Sequence, residues 1–133
     1  MPNPRPLHSL HAILLAFPLA FFPAALLFDI VYLNSAQLQW TNFASWLISF
    51  AVLFGGPVLL WAAIDALRGR RPRAIAYLVL VAAAWIAGLI NAFQHSKDGW
   101  SSVGTMGLIL SVISTLLILA AAWVAHSNRE IAR

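Results

Sequence analysis

FASWLISFAVLFGGPVLLWAAIDAL at 43–67, RGRRPR at 68–73 and AIAYLVLVAAAWIAGLINAFQ at 74–94 follow one another without a break. The two long runs carry one charged residue between them, Asp65, while the short link carries Arg68, Arg70, Arg71 and Arg73. Each run is close to the ~20 apolar residues a helix needs to cross ~30 Å of hydrocarbon. Lipid offers no partner to an open backbone, and no alternating barrel pattern is visible, so both runs are expected to be membrane-spanning helices. A six-residue link between them leaves room only for a tight reversal of direction.

Working outward, the same reading applies twice more. His11 to Leu33 forms a span on the amino-terminal side, and Val103 to Ala125 one on the other. The links Asn34 to Asn42 and His95 to Ser102 are short. The expectation is one transmembrane domain over 1–133, an all-α antiparallel bundle of four helices at about 11–33, 43–67, 74–94 and 103–125. Composition agrees. Of 133 residues, 62% are hydrophobic and 9% charged, against roughly a quarter charged in a soluble domain. The mean hydropathy is +0.84. Such a chain in water would expose more apolar surface than monomers tolerate, so the lipid bilayer is its expected partner. The net charge of +4 does not point to nucleic acid, because the cations sit in one link and at the termini.

Those cations orient the bundle. Arg5, the four link arginines, Arg129 and Arg133 fall on one side of an even-span bundle, and Lys97 alone on the other. The positive-inside rule then puts both termini in the cytoplasm of a bacterial inner membrane. Tyr32, Trp40 and Trp100 would border one face and Trp61, Tyr77 and Trp123 the other, as interfacial belts do. A cleaved signal peptide is the rival reading of the first span. Small residues near Ala24-Ala25 imitate a cleavage site, but the run exceeds the ~7–15 residues of an h-region.

Prolines interrupt two spans, Pro18 and Pro23 in the first and Pro57 after Gly55-Gly56 in the second, where bends compensated by neighbouring helices are expected. In the fourth span Gly104, Gly107, Ser111, Ser114, Thr115 and Ala122 form a small-residue stripe of the kind that lets helices pack closely in lipid.

Ionisable groups inside a membrane are costly and mark candidate sites. On the first helix His11, Leu15, Pro18, Phe22, Ala25 and Asp29 lie at alternating steps of four and three, which is one face. Ala84, Gly88, Asn91 and His95 make a similar line on the third. Asp29, Asn91 and His95 are therefore expected to meet in one polar cluster at the end opposite the arginine link. There a carboxylate beside a histidine can fix its tautomer or relay a proton. Asp65 and Arg68, three apart, are expected to pair as a helical salt bridge. His8, His11 and His126 collect at the arginine end. Histidines on facing helices of a bundle are how membrane cytochromes hold b-type haem, so His11 with His126, or with His95, is the candidate ligand pair. With no cysteine and four carboxyl groups in all, thiol chemistry is excluded and a hydrolytic pair is not expected. No phosphate-binding loop, HExxH or nucleophile elbow occurs.

The opening Pro6-Leu7-His8-Ser9-Leu10-His11, running into Phe17-Pro18 and then Asp29, resembles the small bacterial membrane proteins of domain of unknown function family 2231. The stretch Gly88-Leu89-Ile90-Asn91-Ala92-Phe93-Gln94-His95 is similar to a third helix of such proteins. Two departures stand out: Ser9 where the pattern has Pro after the first His, and a longer step from His11 to Pro18. Both bear on His8 more than on His11. Members occur joined to, or encoded beside, cytochrome c modules and quinoprotein dehydrogenases. The resemblance thus implies an electron-transfer (b-haem) or anchoring subunit with a redox partner. Two alternatives stand beside it: a cofactor-free interaction or scaffold protein, and a proton-coupled carrier acting as a homo-oligomer through Asp29 and His95.

Overall fold

The computed structural model describes residues 8–69, 71–96 and 104–131. They form α1 (Ser9–Ser35), α2 (Leu38–Gly69), α3 (Pro72–Ser96) and α4 (Gly104–Ile131). All four are long and apolar enough to cross a membrane. The chain is an all-α membrane bundle, and its outer surface is in contact with the lipid bilayer. Leu27, Leu53, Leu60, Phe93 and Trp123 each leave more than half of their surface outside the protein, as lipid-facing side chains must.

The helices run longer than the apolar stretches, because a polar residue at a span's end stays helical when the next turn is tight. Between α1 and α2 only Ala36 and Gln37 lie outside a helix. Ala36 takes the left-handed conformation at φ 57° and donates its N–H to the Tyr32 carbonyl, the αL ending usually given to glycine. Thr41 and Asn42, expected in the link, are therefore already in α2. At the arginine link α2 continues to Gly69 and α3 begins on Pro72, the position where a missing N–H costs nothing. At the start of α1 the His8 side chain accepts the Leu10 N–H at 3.1 Å, so His8 caps the helix. Lys97, Trp100, Arg5, Arg70 and Arg133 lie outside the described residues, and so does the Arg129 side chain.

Each helix packs on two neighbours, in the cyclic order α1, α2, α3, α4. Ring contacts join the start of α1 to the end of α2 (His11 with Trp61) and the end of α1 to the start of α2 (Phe28 with Trp40). The core is narrow and built on small residues: Ala25, Ala44, Ala51, Ala84 and Ala121 around Leu15, Phe22, Ile48, Val58, Val81 and Ile118. The small-residue stripe of α4 is buried from Gly107 to Ala122, but Gly104 is exposed. Gly88 admits the Phe22 ring, since a Cβ there would lie 2.6 Å from Phe22 Cζ. Gly55 leaves space for Trp85, whose indole N–H donates to the Val52 carbonyl at 3.0 Å. The neighbour thus supplies a donor to α2 close to Pro57, where the ring removes one N–H from the helix ladder.

Candidate functional site

Two hydrogen bonds cross the centre of the ring, both from α1 to α3. His11 Nε2 lies 2.7 Å from the Tyr77 hydroxyl, and Asp29 Oδ1 lies 2.6 Å from His95 Nε2. From His11 to Asp29 and from Tyr77 to His95 the chain advances by the same eighteen residues. That is five full turns, so each pair returns to the same helix face about 27 Å further along. Start pairs with start and end with end, so α1 and α3 run in the same sense.

The bond at the Asp29 end is the centre of a closed network. Asp29, Asn91, His95 and Ser111 are all buried to within 1%. Ser111 donates to Asp29 Oδ2 at 2.5 Å, and Asn91 Nδ2 donates to Ser111 Oγ at 2.9 Å. His95 Nδ1 lies 2.9 Å from the backbone carbonyl of Asn91. A carbonyl only accepts, so Nδ1 carries a hydrogen. Across the 2.6 Å contact one more hydrogen must lie between Nε2 and Oδ1, because two lone pairs at that distance would repel. It belongs either to an imidazolium facing a carboxylate or to a carboxylic acid facing a neutral imidazole. Both states have zero net charge, which is the inexpensive way to hold two ionisable groups in lipid. Within this network the Asn91 Oδ1 has no protein partner among the described residues. The network joins α1, α3 and α4, and its four side chains are shut off from the surface.

The bond at the other end opens onto a cavity. A space of about 1050 Å³ lies between the helix ends, and its lining includes His8, His11, Trp61, Asp65, Tyr77, Arg68, Arg71 and Arg73. The Trp61 ring sits 5.2 Å from that of His8 and 4.9 Å from that of His11, so an aromatic wall leads down to the His11–Tyr77 pair. Asp65 was expected to pair with Arg68. It makes no ion pair among the described residues and lines the cavity instead. Arg73 donates to Ser127 Oγ at 2.7 Å and the Val124 carbonyl at 3.3 Å, fastening the start of α3 to the end of α4.

Of the residues picked out by spacing, Asp29, Asn91 and His95 come together. His11 and His126 share no bond or cavity lining among the described residues: His11 is engaged by Tyr77 with the Trp61 ring tilted beside it, and His126 is not among the residues lining the cavity that His11 lines. A bis-histidine haem takes one free ring nitrogen from each histidine, and with His11 Nε2 turned to Tyr77 this arrangement does not fit one. His95, the other candidate ligand, has both ring nitrogens engaged and lies at the far end of the bundle. No group of three or more His, Asp or Glu side chains among the described residues could hold a metal ion. Two participants escaped spacing arguments. Tyr77 reads in sequence as an interfacial belt residue, and Ser111 as one member of a packing stripe. A signal for Tyr77 exists in its eighteen-residue step to His95, matching His11 to Asp29. For Ser111 there is none.

Residues 7–126 match the family described as "Predicted membrane protein (DUF2231)". No curated protein and no solved structure matches the chain.

Proposed function

The chain belongs to that family of membrane proteins, and from this premise we propose that it is a ligand-binding interaction protein of the bacterial inner membrane, which takes a small molecule into the cavity at its arginine end. The observation that carries this reading is the cavity itself. At about 1050 Å³ it lies at the upper end of the ~300–1,000 Å³ usual for ligand sites. It is apolar and aromatic at its floor, with a few convergent polar groups. The seven-to-one division of cations along the chain turns this end, with both termini, towards the cytoplasm. Sequential helices then alternate in direction. Reporter fusions at Gln37 and between Arg68 and Arg73 test the orientation, and an external signal from the arginine link would reverse it.

The binding reading is tested on the full chain purified in mild detergent, by mass spectrometry of the organic molecules it retains. Ala74 is half-buried and lines the cavity. Ala74→Trp should intrude on the space and reduce the content of a compound that the native chain holds in about one-to-one ratio. Equal contents in both proteins would sink the idea.

A second reading, a proton-coupled carrier, draws on the single hydrogen shared by Asp29 and His95. Against it stands the apolar layer of Leu15, Phe22, Ile48, Val58 and Val81, which separates that pair from the cavity. A carrier would need a homo-oligomer or a large rearrangement to connect them. A redox anchor with an electron-transfer partner has no residue in this geometry that speaks for it.

A further inference from the structure

We infer that the cavity at the arginine end is a site for an anionic amphiphile, its charged head held by Arg68 and Arg71 and its apolar portion lying against Trp61 and Tyr77. The inference rests on the binding reading above and specifies its ligand.

Three observations lead to it. First, the arginines of the lining are not equivalent. Arg73 is tied to Ser127 and Val124, whereas Arg68 and Arg71 are exposed and make no ion pair among the described residues. Two guanidinium groups that line the mouth of a cavity with no ion-paired carboxylate among the described residues suit phosphate or carboxylate oxygens. Second, the cavity changes character with depth. The mouth is cationic. The floor is Trp61, Ala62 and the His11–Tyr77 pair, in which ring nitrogen and hydroxyl already face each other. A ligand charged along its whole length would find no partners at the floor, and one without charge would leave the arginines unused. Third, Asp65 lies on the wall between Trp61 and Arg68, without an ion pair among the described residues, and a carboxylate there repels an anion from the deeper part, so the head stays at the rim. A polar head at the border and an apolar body inward is also how a molecule sits at the edge of a bilayer.

A bilayer phospholipid and a free anion share the head chemistry, and the two sources separate by experiment. The full chain is presented in detergent with phosphatidylglycerol and phosphatidylcholine of the same acyl composition, and bound lipid is counted by native mass spectrometry. The native protein should favour the anionic lipid by roughly thirtyfold, the product expected for two interfacial cations. Arg68→Gln with Arg71→Gln should bring that preference to within about threefold, with helicity and melting temperature held near native so that misfolding is excluded. Ala74→Trp, which keeps both arginines, should lose it as well. Retention of the preference in Ala74→Trp would mean a charged surface rather than a cavity, and would overturn the inference. So would inorganic phosphate at millimolar concentration displacing the lipid completely, since the head alone would then account for binding. If the cavity holds a neutral compound that Ala74→Trp expels, the binding reading survives and the anionic inference fails.

Discussion

The two α1–α3 bridges lie five helical turns apart on the same faces of the same helices, yet one is sealed and the other borders a cavity. At the sealed end Asp29 and His95 bond each other, the Ser111 hydroxyl and the Asn91 carbonyl, and the Asn91 amide backs that hydroxyl. At the open end His11 has one polar partner among the described residues, and beyond Tyr77 lie Asp65, Arg68 and Arg71 without direct bonds to it. The same device, a hydrogen bond across the diagonal, thus closes the bundle at one end and floors a chamber at the other. Neighbouring residues decide which. Small Ser111 on α4 bonds Asp29 and closes the sealed layer, while at the other end His11 and Tyr77 line the cavity.

This contrast can be broken most directly at the sealed end. Asp29→Ala removes both acceptors and strands the His95 and Ser111 hydrogens in a dry layer. Its expected cost is about 3–5 kcal/mol, as for a buried pair deprived of one partner. Chemical denaturation in detergent measures it, and a loss below about 1 kcal/mol would mean that the layer admits water after all. Gly88→Ala tests the apolar layer between the two ends, where the new methyl would run into Phe22. A loss of about 1–3 kcal/mol is expected from overpacking, read as a fall in melting temperature. No change would show that the Phe22 ring moves freely.

The open end should yield less. Tyr77→Phe leaves the buried His11 Nε2 without its partner, but the adjoining cavity lets water replace it. The expected loss is about 1 kcal/mol, the low end for an orphaned buried group. A cost equal to that of Asp29→Ala would erase the distinction between the ends. Asp65→Asn is expected to change stability by less than about 0.5 kcal/mol, because an unpaired carboxylate on a wetted wall has no bond to lose. A larger loss would restore the ion pair with Arg68 that its spacing suggests.

Much of the bundle was legible before any coordinates. Four apolar runs divided by short links leave few arrangements in lipid, and the three-and-four spacing marks Asp29, Asn91 and His95 as inward-facing, because a helix face is a local property. What spacing could not supply was relation between helices. Tyr77 near a span's end carries the same signal whether it points to headgroups or across the bundle, and only the partner, His11, distinguishes them. Ser111 differs from Ser114 by one helical turn and by nothing in composition, yet one bonds Asp29 and the other its own helix. Asp65 illustrates the converse error. Its three-residue step to Arg68 permits a salt bridge, but where water competes such a pair gains little, and the side chain turns towards the cavity.

The shared hydrogen of the sealed layer also decides how that layer responds to the voltage across the membrane. A full elementary charge crossing the bilayer couples at ~2.3 kcal/mol per 100 mV. The hydrogen between Nε2 and Oδ1 can move no further than their 2.6 Å separation. Against ~30 Å of hydrocarbon this is less than a tenth of the field, hence at most about 0.2 kcal/mol per 100 mV. Neutral in either arrangement, the pair is almost blind to the membrane potential, whereas any ion drawn through the apolar layer would feel most of it.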